Sequence, residues 1–130
     1  MNFFRGSILP AGGEQVFVTY HVGEALPVTL PLTDALLGRA RHRLGQPLVL
    51  GIRPEDVRVG RGAPAGRALA AEIEVAEPMG AETYLYLRAS QLPCVARVRS
   101  DESYLPGQRV QLSLDLDRVH LFDAETERAL

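Results

Sequence analysis

Apolar and polar residues alternate along much of this chain, which is the pattern of half-buried β-strands. The cleanest segment is Val110 to Asp115, where apolar residues hold the even positions and polar residues the odd ones, and the alternation continues to Leu116 and Asp117. Similar patterns, and a continuous apolar run at Leu48 to Ile52, predict further strands at Phe3 to Leu9, Gln15 to Tyr20, Ala25 to Leu32, Ala71 to Val75, Thr83 to Arg88, Cys94 to Arg99 and Val119 to Phe122. Short strands at close spacing are typical of a small all-β barrel or sandwich.

Turn and cap residues set the boundaries between these elements. The segment Pro10 to Gly13 predicts a hairpin turn, because its two glycines can adopt positive φ angles. Two prolines within Ala25 to Leu32 place that strand at a sheet edge, because proline cannot donate to a central ladder. The pattern predicts one helix at Thr33 to Leu44. Thr33 can cap it, and Gly38 in its middle makes it short at most.

Composition and charge narrow the class of protein. A chain of 130 residues with 46% hydrophobic residues can form one domain with a core, and no apolar run is long enough to span a membrane. The net charge of −2 weighs against nucleic-acid binding, which depends on a positive surface. The first residues lack the pattern of a secretory signal, so we expect a cytoplasmic location. All 14 basic residues are arginine, which excludes lysine chemistry.

No catalytic, cofactor or metal site is predicted from the residues themselves. The glycine-rich segment Gly60 to Arg67 resembles a phosphate loop, but it lacks the Lys-Ser/Thr pair and reads as a surface loop or insertion point. The three histidines, His21, His42 and His120, lie in different segments without metal-ligand spacing. Cys94 is predicted to be a small buried apolar residue. Acidic pairs such as Glu55-Asp56 are predicted to be solvated turn charges.

A charged, proline-fixed corner follows the strand Leu48 to Ile52. Pro54 fixes its own φ and forces Arg53 into an extended conformation, so the strand must stop there. We expect Gly51 to let another backbone pass close by, and Asp56 to accept backbone donors in the turn. We also expect Arg53 and Glu55 to form ion pairs, either within the domain or across an interface.

This corner and three other segments together resemble a known family. The segments are Met1 to Phe3, Leu50 to Glu55, Glu77 to Thr83 and Val119 to Asp123. The family positions are Gly51, Ile52, Arg53, Pro54, Glu55, Asp56, Glu77, Gly80, Glu82, Phe122 and Asp123. In this order they resemble the TOBE domain, the C-terminal regulatory region of ATP-binding subunits of maltose- and glycerol-3-phosphate-type ABC importers. One departure is Glu127, where the family often has glycine after Asp-x-x-Thr.

The resemblance implies an OB-like all-β domain over residues 1–130, with two interleaved lobes as one arrangement and a break near residues 60–67. It implies that the nucleotide-binding domain, with its ATP and Mg²⁺, lies outside this chain and precedes Met1, which would then be an internal residue. It also implies a homodimer that works beneath membrane permease subunits at the inner face of the cell membrane, with a regulatory protein as a further partner. Exposed apolar residues are expected to form the dimer or partner surface, with Leu85, Tyr86 and Leu105 as candidates.

Two other functions remain open. The domain could bind a small oxyanion or a sugar, with Arg53, Arg97 and Arg99 as the natural anion ligands. Alternatively, an OB-like face that carries Tyr84, Tyr86 and Arg88 could bind single-stranded nucleic acid, although the composition and the net charge disfavour this.

Overall fold

Ten β-strands in two five-stranded sheets form most of the protein in a computed structural model, which describes residues 1–20, 27–60, 69–90 and 92–130. The strands are β1 Asn2–Ala11, β2 Glu14–Thr19, β3 Thr29–Pro31, β4 Leu48–Ile52, β5 Val57–Val59, β6 Leu69–Pro78, β7 Glu82–Ala89, β8 Leu92–Arg99, β9 Arg109–Leu114 and β10 His120–Asp123. The described residues also form one α-helix, α1 (Asp34–Arg39), and three 3-10 helices, Arg41–Arg43, Pro54–Asp56 and Leu116–Arg118.

The chain divides into two compact units. The first unit contains Met1, Phe3–Ile52 and Leu116–Leu130, and the second contains Asn2 and Arg53–Asp115. Almost the whole sequence of the second unit therefore lies between two segments of the first unit. The sequence suggested a break near residues 60–67, of which 61–67 lie outside the described residues, as does His21.

The first unit is a sheet with the strand order β10-β4-β1-β2-β3. The predicted hairpin is confirmed: β1 and β2 pair antiparallel from Gly6↔Thr19 to Ala11↔Glu14, and Gly12 and Gly13 turn the chain with φ angles of 58° and 84°. The proline-containing strand β3 lies at the sheet edge, as expected, and residues 25 and 26 of that predicted strand lie outside the described residues. Apolar side chains from several elements fill the core of this unit, among them Ile8, Phe17, Leu30, Leu36, Leu48, Leu50 and Ile52.

The predicted helix is present but shorter than Thr33 to Leu44. The hydroxyl of Thr33 caps α1 by accepting a hydrogen bond from the Leu36 amide. After Ala40 the chain continues as the 3-10 helix Arg41–Arg43, and Gly45 then takes a φ of 76°. Gly38 lies inside α1. Its low helix propensity disfavours a longer helix.

The second unit is a sheet with the strand order β5-β9-β6-β7-β8. The end strands β5 and β8 also approach each other, so the sheet nearly closes into a small barrel. Its interior is filled by apolar side chains that are almost completely buried, among them Val57, Ile73, Leu85, Leu87, Ala96 and Leu112. Cys94 is also buried in this core, as predicted, and its burial raises the pKa of the thiol to about 12.

Two details of the predicted strand faces are wrong. The pairing of β6 with β7 shifts register between Ile73 and Val75, so a β-bulge at Glu74 turns Val75 outward, and Val75 is 49% exposed. Leu116 is buried, but it belongs to a 3-10 helix and not to the end of β9. The alternation alone could not show either change, because a bulge or a tight turn resets which face the next residue occupies.

Candidate functional surface

Gly51 lies in the first unit at a point of close side-chain packing. A Cβ atom at this position would lie 2.9 Å from Met1 Sδ, 3.0 Å from Phe122 Cε2 and 3.4 Å from Phe3 Cδ1. The rings of Phe3 and Phe122 contact each other edge to face, with centroids 6.3 Å apart. The three groups nearest to such a Cβ atom are therefore side chains, while the backbone of His120 on β10 pairs with Gly51 as a neighbouring strand.

The charged corner Arg53 to Asp56 belongs to the second unit. Arg53 is extended with φ −75° and ψ 150°, as the following proline requires, and Pro54–Asp56 then forms a single 3-10 turn. The backbone carbonyl of Arg53 accepts a hydrogen bond from the Asp56 amide, and the carbonyl of Asp56 accepts one from the Asp115 amide. The corner is thus fixed mainly by backbone hydrogen bonds.

Arg97 joins two of the family segments within the second unit. Its Nη2 lies 3.6 Å from Glu55 Oε2, and its Nε lies 2.6 Å from Glu82 Oε2. A hydrogen bond with the Tyr84 side chain, followed by the charges of Glu55 and Glu82, raises the pKa of Arg97. We call Arg97, Glu55, Glu82 and Tyr84 the Arg97 cluster. Glu55 is therefore paired as expected, whereas the Arg53 side chain has no ion-pair partner among the residues that the structure describes.

The segment Glu77 to Thr83 forms the tight connection between β6 and β7. Pro78 pairs with Thr83, the Met79 amide donates to the Glu82 carbonyl over 2.7 Å, and Gly80 supplies a φ of 89°. A glycine suits this position, because a positive φ strains residues that carry a Cβ. The turn thereby places Glu82 at the start of β7, where its carboxylate reaches Arg97.

Asp123 organises the final turn of the first unit. Its Oδ1 accepts hydrogen bonds from the amides of Glu125 and Thr126, and its Oδ2 pairs with Arg43. The two backbone hydrogen bonds, together with Arg43, lower the pKa of this carboxyl group. Glu127 then takes a φ of 61°, a left-handed conformation that favours glycine. The turn forms in this chain despite the departure from the family pattern.

The candidate dimer surface requires one correction. Leu85 was predicted to be exposed, but its side chain points into the core of the second unit with no exposed surface. Tyr86 and Leu105 are exposed, at 39% and 66%. Because side chains alternate along β7, the residue before Tyr86 must face inward. Tyr84, Tyr86 and Arg88 share the outer face of β7, as predicted.

Tyr86 lies at the centre of an apolar row on the outer face of the sheet, in which Val75 and Tyr86 are exposed and Val95 is half-buried. It pairs in register with Val75 on β6 and with Val95 on β8. We call Val75, Tyr86 and Val95 the apolar row. The Arg97 cluster lies on one side of it, and the ion pair between Arg88 Nε and Glu74 Oε1, 2.9 Å long, lies on the other.

The structure gives little support to oxyanion binding by the candidate arginine residues. Two of the three candidate anion ligands are occupied, Arg97 by Glu55 and Glu82 and Arg99 by Asp101 at 3.1 Å. Among the described residues, no group of three or more His, Cys, Asp or Glu side chains is placed to hold a metal ion. Within that same part of the chain, no helix has the length and apolar character needed to cross a membrane.

Asn2 is a structural residue that the sequence did not reveal. It is buried, its Nδ2 donates to the Val95 carbonyl over 2.8 Å, and its Oδ1 accepts from the Val95 amide over 2.8 Å. The carboxamide therefore satisfies both backbone groups of one residue on β8, as a neighbouring strand would. The one available signal was a polar residue at the start of an otherwise apolar segment.

Comparisons with known proteins agree with this architecture. A family model described as the TOBE domain matches residues 50–122, and one described as the MalK OB fold domain matches residues 1–57. The chain also resembles the cytoplasmic molybdate-binding protein ModG, with a TM-score of 0.67 at 13% identity over 92% of this chain and 94% of that one. The predicted all-β, OB-like fold with one short helix is thereby confirmed.

Relatives in sequence are ATP-binding proteins of ABC transporters. The chain is 36% identical over 130 residues to the uncharacterised ABC transporter ATP-binding protein YcjV of Escherichia coli, covering 100% of this chain and 33% of that protein. It is 34% identical over 131 residues to the sn-glycerol-3-phosphate import ATP-binding protein UgpC of Chromobacterium violaceum, covering 100% and 32%. It is 38% identical over 86 residues to the multiple sugar-binding transport ATP-binding protein MsmK of Streptococcus mutans, covering 64% and 23%. The chain thus spans about a third of the length of the first two relatives.

Proposed function

Because this chain belongs to the TOBE domain family, we propose that it is the non-catalytic regulatory and dimerisation domain of an ABC importer ATP-binding protein. The importer would take up a sugar or a related solute. The observation that carries this proposal is the match of the whole chain to about a third of such ATP-binding proteins. The chain contains no lysine, so it cannot supply the lysine of a phosphate-binding loop. ATP and Mg²⁺ would then bind in a separate nucleotide-binding domain of the parent protein.

The sequence encoded immediately before Met1 tests the parentage. We expect a nucleotide-binding domain there, with a Walker A lysine and a signature motif. An in-frame stop codon directly upstream would contradict the proposal. If the domain is present, the parent would act at the inner face of the cell membrane through permease subunits, and a regulatory protein is a further partner to be sought by binding assays.

The apolar row is the surface that we propose for dimerisation. Its exposed apolar centre lies between ion pairs that contain both signs of charge, which is the composition of many interfaces with an apolar core and a polar rim. A surface with both signs can also complement itself across a two-fold axis. Val75 and Val95 take the place of the buried Leu85 in this proposal, whereas Tyr86 is retained and Leu105 remains a separate candidate.

Sedimentation equilibrium of the chain tests this surface. We expect reversible self-association at protein concentrations up to about 1 mM, and we expect Tyr86→Glu to abolish it by placing a charge at the centre of the row. Leu44→Glu is the matched control, because Leu44 is exposed to a similar extent, at 44%, but lies in the first unit. A chain that stays monomeric throughout, or a loss of association in the control as well, would contradict dimerisation through this row.

Oxyanion binding is the second candidate function, and the fold shared with ModG is the observation that favours it. That neighbour was crystallised with molybdate bound. The pairing of Arg97 and Arg99 with carboxylates weighs against the same chemistry at these residues. Calorimetric titration with molybdate and sulfate separates the alternatives, since heat that saturates at one site would favour oxyanion binding.

A further inference from the structure

The second unit contains a cleft of about 520 Å³ beside the middle of its sheet. Its lining comes from β6, from β7 and the residue after it, and from the start of β9, and the lining residues used below are Ala71, Glu72, Glu74, Arg88, Ser90 and Arg109. This volume falls within the range of roughly 300–1,000 Å³ that is common for small-molecule sites. Ala71 is a small, buried residue of this lining, and the four charged residues belong to the same lining.

The charged residues of the cleft alternate in sign across the three strands. Glu72 on β6 pairs in register with Arg88 on β7 and with Arg109 on β9, so the acidic residue lies between two basic ones. Arg88 is already bound to Glu74, with a distance of 2.9 Å. Among the described residues, neither Glu72 nor Arg109 has an ion-pair partner, although the two lie directly opposite each other. Their carboxylate and guanidinium groups are therefore available to a ligand.

We propose that this cleft binds a neutral polyhydroxylated molecule, that is, a sugar or a polyol. Among the lining residues that the structure describes, the two acidic and two basic side chains cancel, so this part of the cleft carries no net charge with which to attract an ion. Carboxylates only accept hydrogen bonds and guanidinium groups only donate them, whereas each hydroxyl group does both. Two neighbouring hydroxyl groups can therefore donate to Glu72 and accept from Arg109, and the Ser90 hydroxyl adds a further partner.

Neutral ligands also fit the exposure of the cleft better than charged ones. Glu72, Ser90 and Arg109 are all exposed, and exposed ion pairs contribute little because water screens them. A zwitterion would have to give up the hydration of two full charges for such weak pairs, while hydroxyl groups exchange hydrogen bonds with water at lower cost. The cleft adjoins the apolar row and shares the Glu74–Arg88 ion pair with its rim, but the inference does not require that the chain dimerises.

Amide NMR shifts of the isotope-labelled chain test the site directly. Titration with glucose, maltose and glycerol should give saturable shifts at Ala71, Ser90 and their neighbours for at least one of the three, with half-saturation at roughly 1–10 mM. Glu72→Gln and Arg109→Gln should each weaken that binding by about tenfold or more, since each removes a charged hydrogen-bond partner. Glu77→Gln and Arg99→Gln are matched controls outside the cleft and should leave the affinity unchanged. The remainder of each spectrum shows whether the variant is folded.

Three results would overturn the proposal. The first is the absence of saturable shifts with all three compounds up to about 100 mM. The second is a stronger response to glycine or sulfate than to the neutral compounds, which would assign the cleft to a zwitterion or an anion. The third is binding that both cleft variants retain at full affinity, which would place the ligand elsewhere. None of these results bears on the sedimentation experiment, so the two proposals can fail independently.

Discussion

Gly51 and Glu55 belong to one short family segment but depend on different physical forces. In the first unit, Gly51 leaves room for Met1, Phe3 and Phe122, and its role is steric. In the second unit, Glu55 is a partner of Arg97, and its role is electrostatic. A steric conflict at Gly51 does not depend on ionic strength, whereas the interaction between partly exposed charges is screened by salt. The cost of substitutions within the same segment should therefore differ in how it depends on salt.

The largest effect should come from a glycine that faces a backbone atom. At Gly6, an added Cβ would lie 2.2 Å from the Val18 carbonyl oxygen and 2.8 Å from Phe17 Cζ, so Gly6→Ala should lower the free energy of unfolding by about 3 kcal/mol or more. Gly51→Ala should cost only about 1 kcal/mol, because Met1 is 48% exposed and its flexible end can move. Urea denaturation of both variants measures the difference. If both variants lost the same free energy of unfolding, it would not matter whether the added Cβ contacts a backbone atom or a flexible side chain.

Asn2 should show the next largest effect. Asn2→Ala removes two hydrogen bonds to Val95 and should lower the free energy of unfolding by about 2 kcal/mol. The control is Gln108→Ala, which removes an exposed hydrogen bond that the Leu105 amide donates to Gln108 Oε1, and it should cost at most about 0.5 kcal/mol. Thermal unfolding of the two variants is sufficient. If they are equally stable, the burial of the Asn2 amide does not matter.

The electrostatic side of the comparison predicts a smaller, salt-dependent effect. Arg97→Gln should lower the melting temperature at low ionic strength, because it removes partners of both Glu55 and Glu82. Arg99→Gln should have a smaller effect, because the Arg99 side chain is 81% exposed and pairs with Asp101 alone. Scanning calorimetry at low and high salt measures both. If the decrease in melting temperature of Arg97→Gln were the same at low and high salt, Arg97 would stabilise the protein through packing and not through charge.

Glu127→Gly should be a small stabilising change. A left-handed φ of 61° strains glutamate, and glycine removes this strain but gains entropy in the unfolded chain. The balance should raise the free energy of unfolding by about 0.5 kcal/mol. Urea denaturation detects it, and Glu125→Gly is the control, since no positive φ occurs there. Destabilisation by Glu127→Gly would mean that the glutamate side chain contributes more than its backbone costs.

Strand positions were predictable from the sequence because one face of each strand is buried, and Leu48–Ile52 was predicted with its observed bounds. The corner at Pro54 was also predictable, since proline restricts both itself and Arg53. The bulge at Glu74 was not, because it depends on how β6 meets two different neighbours, β7 and β9. This one shift turned Val75 outward, against the predicted alternation.

Tertiary pairing explains the other differences at the candidate surface. Arg53 and Glu55 were both expected to form ion pairs, but no local pattern could show that the partner of Glu55 is Arg97 from β8. Leu85 was mistaken for an exposed residue because its neighbours Tyr84 and Tyr86 are partly exposed on the outer face. Asn2 contacts a residue 93 positions away, which no local pattern reports. Contacts between distant segments are where prediction from pattern failed.

The Asn2 carboxamide also bears on how this protein avoids unwanted assembly. An end strand such as β8 offers free amide and carbonyl groups to which an extended segment of another molecule can add, the first step of many aggregates. At Val95 both groups are already taken by a side chain, which unlike a strand offers no further ladder to extend. A strand added at the middle of β8 would therefore have to displace the Asn2 carboxamide, and Asn2→Ala should aggregate faster on mild heating than equally destabilised variants elsewhere.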